Sequence, residues 1–269
     1  MVNGKYFTID AHCHIYPEKI AAPAINSTDN FYDTVSYGKG TVEDLLYQNS
    51  ISGVDKCIVQ SVATTPKQVR SINNFIAKEV EAHKETLIGF GTMHPESEDL
   101  KGDIEHLVSL GLKGVKLHPD IQRFKLDDYR CLKIYELCEA NDLVLLVHAG
   151  DSRYDNSNPN RLRPIAEIYD KLKIIAAHLG GWSVWREAYK QLSDLENIYV
   201  DCSSSFYYIK PNEAKEVIRA YGADKVLFGT DYPMWCPKSE LDIFLSLGLT
   251  DEENRKILGE NAKKLLHLE

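Results

Sequence analysis

The strongest constraint on this sequence is a regular alternation of short apolar runs with longer segments of helical periodicity. The apolar runs consist mostly of Val, Ile and Leu, which is typical of parallel strands covered on both faces. We assign eight strands, to residues 6–10, 56–60, 87–91, 114–117, 143–147, 174–177, 198–200 and 226–228. The alternation therefore predicts repeated strand–helix units.

Helical segments are predicted at 41–49, 66–83, 98–110, 127–141, 164–171, 184–195, 212–221, 238–247 and 251–266. Several follow Ser, Asp or Pro, and several end at a glycine such as Gly53 or Gly111, which are preferred residue types at helix starts and ends. Eight strand–helix units in 269 residues favour a closed (β/α)8 TIM barrel over an open sheet. We predict one α/β domain over residues 1–269, with irregular loops at 15–40 and 151–163.

Composition limits the classes of partner. The 40 acidic and 31 basic residues give a formal charge of -9, which disfavours binding to nucleic acid or anionic membranes. The chain has no apolar run long enough to span a membrane, and its start lacks the apolar core of a signal peptide. We expect a cytoplasmic protein whose six cysteines stay reduced, acting on a small-molecule substrate, with a homodimeric assembly left open.

Polar side chains recur at one position after the predicted strands. Active sites of such barrels form at the carboxyl ends of the strands, so these side chains should meet there. They are His12 and His14 after the first strand, Lys116 and His118 after the fourth, His148 after the fifth, His178 after the sixth and Asp231 after the eighth. A shared site is therefore predicted.

His12 and His14 are separated by one residue, so on an extended chain both side chains point to the same face. Such a pair alone could be two surface histidines. Together with His148, His178 and Asp231 it indicates a metal site, because imidazole and carboxylate are ligands for Zn, Mn, Fe or Ni.

Lys116 and His118 also share one face of their strand. Lys116 could bind a substrate carboxylate, be carbamylated and bridge two metal ions, or pair with an acidic residue. His118 could contact the substrate or a ligand, or be a ligand itself. Further candidates for substrate contact are the basic residues Arg123, Arg153 and Arg161 and the aromatic residues Tyr154 and Trp235.

The five segments that carry these residues resemble the amidohydrolase superfamily. They are similar to its amidohydrolase-related branch, which also includes enzymes like aminocarboxymuconate-semialdehyde decarboxylase. The segments are DAHCH at 10–14, GVKLHP at 114–119, VHAG at 147–150, AHLGG at 177–181 and FGTDYP at 228–233. The resemblance implies a distorted barrel in which His12, His14, His148 and Asp231 hold a divalent metal, with His178 as a further ligand or an acid–base group.

We therefore expect a metal-dependent hydrolase that acts on a small carboxylate-bearing amide, ester or lactone through a metal-activated water. Asp231 would accept the proton of the water, and His178 would stabilise the developing negative charge or act as the acid. One zinc ion is expected, or two if Lys116 is carbamylated, with His118 and Arg153 contacting the substrate. The alternatives are a non-oxidative decarboxylase of the same family and a barrel that binds ligands without catalysis.

Overall fold

Eight parallel strands form a barrel in the computed structural model, which describes residues 5–268. Residues 1–4 and 269 of the predicted domain lie outside the described residues. Each strand pairs with the next along the chain, which confirms the predicted (β/α)8 TIM barrel. The strands are β1 Ile9–His14, β2 Lys56–Gln60, β3 Leu87–Thr92, β4 Gly114–Leu117, β5 Val144–Val147, β6 Ile174–Ala176, β7 Ile198–Asp201 and β8 Val226–Leu227.

Helices surround the strands, and most begin at a side-chain cap or a proline. Thr41 caps α2 by accepting from the Asp44 N–H, and Gly53 ends that helix at φ 82°. The helices are α1 Glu18–Tyr32, α2 Val42–Ser52, α3 Val69–Ala82, α4 Leu100–Ser109, α5 Pro119–Gln122, α6 Tyr129–Ala140, α7 Pro159–Ile168, α8 Trp185–Leu192, α9 Pro211–Tyr221, α10 Pro237–Ser246, α11 Asp251–Arg255 and α12 Asn261–Leu265. No helix within residues 5–268 is both long and apolar enough to cross a bilayer.

Alternation along the strands creates two apolar layers. In β5, Leu145 and Val147 pack into the layer between strands and helices, whereas Val144 and Leu146 pack inside the barrel. The next residue in the inward phase is His148, which follows the last apolar position of the strand. The period of two therefore carries this histidine into the barrel mouth.

An irregularity in β1 turns the histidine pair toward the same space. The register between β1 and β2 shifts between Asp10 and Cys13, where a bulge interrupts the ladder. Ile9 and Ala11 belong to the interior layer before the bulge, and Cys13 belongs to the outer layer after it. His12 and His14 are thereby directed inward, which is a common use of a bulge next to a functional site.

Three predicted segments are corrected. β1 extends to His14 rather than ending at residue 10, because its ladder with β2 continues to the pairing of His14 with Gln60. The stretch 15–40 is not irregular: α1 occupies most of it, since three alanines among its first seven residues favour a helix and Pro23 removes only one hydrogen bond. Likewise α7 begins at Pro159 instead of residue 164, because proline is favoured in the first turn.

A buried carboxylate joins the two ends of the strand order. Asp10 accepts from the Thr230 N–H at 3.0 Å, from the Thr230 hydroxyl at 2.5 Å and from the His12 N–H at 3.1 Å. Backbone bonds from Ala11 to Phe228 and from His14 to Tyr232, at 2.8 and 2.6 Å, run across the same junction. Asp10 therefore ties β1 to the segment after β8 and closes the barrel beside the histidine pair.

The Asp10→Ala variant should lose about 3–5 kcal/mol of unfolding free energy, since each buried donor left without a partner costs about 1–3 kcal/mol. Urea denaturation followed by circular dichroism would measure this. The exposed Asp170→Ala variant is the control and should change stability by less than about 0.5 kcal/mol. Equal stability of the two variants would show that Asp10 does not hold the closure.

Candidate active site

Seven of the eight predicted site residues line one cavity at the carboxyl end of the barrel. Its volume is about 890 Å³. The seven are His12, His14, Lys116, His118, His148, His178 and Asp231. The eighth, Arg153, is not among the residues that line it. All seven predicted residues that follow a strand therefore meet in this cavity, as the barrel fold led us to expect.

His12, His14 and Asp231 form the tightest group. The two Nε2 atoms lie 3.2 Å apart, and they lie 3.4 and 3.5 Å from Oδ1 of Asp231. His12 is buried and His14 nearly so. Burial, followed by the charge of Lys116, lowers the pKa of His12 to about 4, and the same two causes lower the pKa of His14. Both imidazoles are thus neutral at pH 7, the form that binds metals.

Asp201, at the end of β7, orients His12 and was not among the predicted residues. Its Oδ2 accepts from His12 Nδ1 at 2.9 Å, and its Oδ1 accepts from the His178 N–H at 3.2 Å and from the Ser203 hydroxyl. Burial would raise the pKa of Asp201, but the His12 imidazole and the neighbouring donors hold it below its ordinary value. Because an ionised carboxylate only accepts, Nδ1 of His12 carries the proton and Nε2 presents a lone pair to the cavity.

His178 is oriented in the same manner. Its Nδ1 lies 3.1 Å from the Ser203 carbonyl oxygen, which can only accept a hydrogen bond, so Nδ1 is protonated and Nε2 bears a lone pair. That Nε2 lies 3.0 Å from Nδ1 of His148. His178 adopts the left-handed conformation at φ 61°, which departs from the strand phase and turns its ring inward.

Lys116 is almost completely buried, with its Nζ 3.0 Å from Nε2 of His12. Burial lowers the pKa of Lys116 to about 8. A cationic head group therefore lies in contact with the group formed by His12, His14 and Asp231. An anionic ligand that reached this group would also meet Lys116.

Asp231 is fixed from the side opposite the histidines. Its Oδ2 accepts from the Ser204 hydroxyl at 2.6 Å, and Ser204 accepts in turn from the Trp235 indole N–H at 2.8 Å. Burial alone would raise the pKa of Asp231, but His12, His14 and His178 hold it well below its usual range. Asp231 is therefore a carboxylate with one oxygen anchored and the other facing the histidine pair.

A second group of titratable residues lies beside the first. His118 and His148 stack with ring centroids 4.0 Å apart, and the Tyr32 hydroxyl lies 2.8 Å from Nε2 of His118 and 3.4 Å from Nε2 of His148. Asp120 Oδ2 is 3.9 Å from His148 Nε2. Tyr32 belongs to α1, so the segment predicted as an irregular loop supplies a polar contact to the site.

Arg153 lies behind the cavity wall. It pairs with the buried Asp151 at 2.7 Å, donates to the Phe31 carbonyl at 2.8 Å, and its guanidinium lies 5.1 Å from the rings of Phe31 and Tyr32. Arg153 thus attaches the end of α1 to the loop after β5. Its predicted contact with substrate stays a prediction.

The other candidates are divided between wall and surface. Trp235 and Arg123 line the cavity, whereas Arg161 pairs with Asp127 and Asp155 and Tyr154 stacks on Phe31, both outside the lining. Four further aromatic residues complete the wall: Phe31, Tyr32, Trp182 and Tyr208. They lie on α1 and on the loops after β6 and β7, where no strand periodicity marks them.

The donor set fits a divalent cation. Nε2 of His12 and Oδ1 of Asp231 both present electron pairs, and they face each other at 3.4 Å in a buried space. Within residues 5–268, Nδ1 of His14 is buried with no hydrogen-bond partner, whereas its Nε2 faces His12 and Asp231. Imidazole nitrogen and carboxylate oxygen together suit Zn, Mn or Fe(II).

Comparisons with known proteins agree with this reading of the fold. The model of a family described as Amidohydrolase matches residues 9–268. The gamma-resorcylate decarboxylase of a Polaromonas species is 23% identical over 268 residues, covering 78% of this chain and 80% of that enzyme.

Two solved structures show the same architecture. An uncharacterized TIM-barrel protein from Bordetella bronchiseptica gives a TM-score of 0.79 at 19% identity, over 97% of this chain and 98% of that one. The 5-carboxyvanillate decarboxylase from Novosphingobium aromaticivorans, complexed with manganese and 4-hydroxy-3-methoxy-5-nitrobenzoic acid, gives 0.76 at 16% identity, over 98% and 96%.

These relatives correct the predicted reaction. The prediction of a hydrolase is wrong: both relatives with a named reaction are decarboxylases, which was the stated alternative. The strand-end residues could not separate the two, because a cation held by imidazole and carboxylate ligands can serve either reaction. The prediction of a divalent metal is supported, but its identity as zinc is not confirmed, since the related structure contains manganese.

Asp201→Asn should weaken Mn²⁺ binding about 10- to 100-fold, the usual effect of removing the partner that orients a metal-binding histidine. Isothermal titration of chelator-treated protein would measure it. The control is Asp103→Asn, a buried aspartate on α4 that pairs with Arg70 and does not line the cavity. Unchanged affinity in a folded Asp201→Asn protein would mean that this carboxylate does not orient a ligand.

Proposed function

We propose, from the premise that this chain belongs to the amidohydrolase family, that it is a divalent-metal-dependent decarboxylase of a small aromatic acid. The observation that carries the proposal is the meeting of His12, His14 and Asp231 around one point, with Lys116 beside them, in a cavity walled by aromatic rings. The decarboxylases among the relatives favour this reaction.

One cation is held by His12, His14, Asp231 and His148 in this proposal. The first three offer donor atoms within 3.5 Å of one another. His148 Nδ1 lies 3.0 Å from the Nε2 lone pair of His178 and donates to it, so His148 would bind the cation through Nδ1 only as the other tautomer. A divalent cation bound there supplies a Lewis acid that polarises oxygen atoms of the substrate. A second ion bridged to the first would require Lys116 to be carbamylated, whereas His118, Asp120 and His148 form a separate group that could hold one. We assign Lys116 instead to the substrate carboxylate, because it is a buried cation at the edge of this group.

Decarboxylation replaces the bond between a ring carbon and the carboxyl carbon by a bond to hydrogen. The protein must therefore deliver one proton to the ring carbon and release carbon dioxide. Asp231 is suited to carry this proton, since it is ionised and only one of its oxygens is occupied by Ser204. It would take the proton of a ring hydroxyl and return it to the ring carbon as the carboxyl group leaves. His178, whose Nε2 lone pair faces Nδ1 of His148, is the second candidate.

The aromatic wall would hold the substrate ring. Trp182 and Tyr208 lie edge to face at 5.9 Å, and Trp235 stacks on Tyr207 at 4.3 Å, so the indole rings have fixed orientations. An aromatic acid can pack against such rings while its carboxylate points to Lys116. His118, hydrogen-bonded to Tyr32, would contact a ring hydroxyl.

The manganese-loaded protein should release carbon dioxide from 2,6-dihydroxybenzoate or 5-carboxyvanillate. A chelator should reduce the rate at least about 100-fold, and added Mn²⁺ should restore it, because the cation polarises the substrate. Product formation by chromatography and metal content by elemental analysis, on the same sample, test this and should give about one equivalent of metal. A metal-replete protein that decarboxylates no hydroxybenzoate would contradict the proposal.

Asp231→Asn should retain a measurable metal content while the decarboxylation rate falls about 10²–10⁴-fold, because an amide keeps one oxygen donor but cannot carry a proton near pH 7. His178→Gln should be assayed alongside as the competing proton carrier. The matched control is Asp224→Asn, an exposed aspartate paired with Lys256. A metal-replete Asp231→Asn protein with near-normal turnover would transfer the proton-carrying role to His178.

A further inference from the structure

The helix α1 is unusual because a helix of 15 residues has a single buried residue, Ala21. Its apolar residues occur at helical spacing and face the cavity rather than the barrel wall. Ile20, Ala24 and Phe31, together with the polar Thr28, recur at intervals of three or four and all line the cavity. Ile20 is 50% exposed, so this face lacks the packing that normally stabilises an amphipathic helix.

The helix is attached mainly at its C-terminal end. Arg153 donates to the Phe31 carbonyl, and the Tyr32 hydroxyl contacts His118. Asp29 accepts from the N–H and hydroxyl of Ser36, which fixes the following turn. In the middle of α1, Ala22 and Pro23 are exposed and Ala24 and Ile25 are only half-buried, so this part of the helix has little packing against the barrel and faces the cavity.

Across this space lies an apolar surface from β2 and α3. Val62 follows β2, and Ile72 and Phe75 project from α3 at a spacing of three; all three line the cavity and are only half-buried. Together with α1 they form an apolar lobe. The residues of this lobe are Ile20, Ala24, Ile25, Val62, Ile72 and Phe75.

The lobe and the aromatic wall lie on opposite sides of the proposed metal group. The strands follow one another in order around the barrel, so β2 lies across from β6. Trp182 follows β6 and Tyr208 follows β7, whereas Val62 follows β2. A ring between the aromatic wall and His12 would therefore leave the lobe unfilled. A cavity near 890 Å³ is at the upper end of those that hold drug-sized ligands, roughly 300–1,000 Å³, and one benzoic acid ring is much smaller.

We propose that the lobe binds an extended apolar substituent of the substrate, so that the preferred substrate is a hydroxylated aromatic acid carrying an alkyl or aryl chain. This inference rests on the proposed function for the reacting end of the molecule. Polar residues of the same elements, including Thr28, Thr64, Gln68 and Ser71, also line the cavity, but their side chains are hydrogen-bonded within the protein. The contacts left for an occupant are those of aliphatic side chains and one phenyl ring, so the occupant is apolar. It belongs to the substrate because the lobe is continuous with the cavity that contains His12 and Asp231. Binding of the chain also supplies α1 with the apolar contacts that it lacks.

The test uses 2,6-dihydroxybenzoate and its 4-methyl, 4-propyl and 4-pentyl derivatives with the manganese-loaded protein. Burying each methylene should raise kcat/KM by about twofold to fourfold, so the pentyl compound should exceed the parent at least about tenfold. The Kd of each compound, measured by isothermal titration with and without Mn²⁺, should fall in the same order.

Two leucine variants on α1 locate the effect. Ala24→Leu fills the lobe and should reduce the ratio of pentyl to parent kcat/KM to near one. Ala22→Leu places the same side chain at an exposed position of the same helix that does not line the cavity, and should keep the wild-type ratio. Phe75→Ala enlarges the lobe from the α3 side and should shift the preferred chain to a longer one. Circular dichroism verifies that each variant is folded.

Failure of the subsite and failure of the proposed reaction give different results. If the parent acid is decarboxylated but chain length has no effect on kcat/KM or Kd, the lobe is not a substrate subsite. The same conclusion follows if Ala24→Leu keeps the wild-type ratio. If no compound is decarboxylated but Kd falls with chain length and Ala24→Leu abolishes the trend, the subsite stands and the decarboxylase proposal fails.

Discussion

The buried carboxylate of Asp201 is the interaction on which the site depends. It accepts a ring N–H from β1 through His12 and a backbone N–H from His178 after β6. It thereby joins three strands and determines which nitrogen of His12 faces the cavity. Ser203, which donates to Asp201, also offers its carbonyl to His178, so the same turn orients a second ring. Without these acceptors each ring could turn its protonated nitrogen inward, where it cannot bind a metal.

The barrel and the residues at its mouth could be predicted because side chains alternate between the two faces of a strand. A strand that is apolar on both faces must continue its alternation past its last residue, so Lys116 and His148 were expected to point inward, and both do. Asp201 ends β7 at the equivalent place and could have been found by the same rule. It was missed because an aspartate after a strand is common in turns. The bulge in β1 could not be predicted in this way, because it interrupts the alternation of side chains.

Other features could not be predicted because they depend on what a segment packs against. The segment of α1 was predicted as irregular because it contains Pro23, and its place at the barrel mouth depends on contacts at its C-terminal end, such as that of Arg153 with the Phe31 carbonyl. The aromatic wall comes from loops, whose side chains have no periodicity. The reaction could not be predicted from the ligands, because a cation held by two imidazoles and a carboxylate can polarise either an ester or a carboxylate. Similarity to decarboxylases, rather than geometry, separated the two reactions.

The candidate site lies on the ends of closely packed strands, whereas α1, which lines the cavity, has little packing. Electron-pair donors that face one another repel, so they need the close packing of strands to stay within 3.5 Å, and a cation bound among them would repay that cost by favouring the folded state. α1 has few contacts to lose, so changes on its cavity face cost little stability. Residues such as Ala24 can therefore differ without disturbing His12 or Asp231. A barrel of this kind can change the shape of its cavity through the first helix while the strand ends proposed to hold the metal stay as they are.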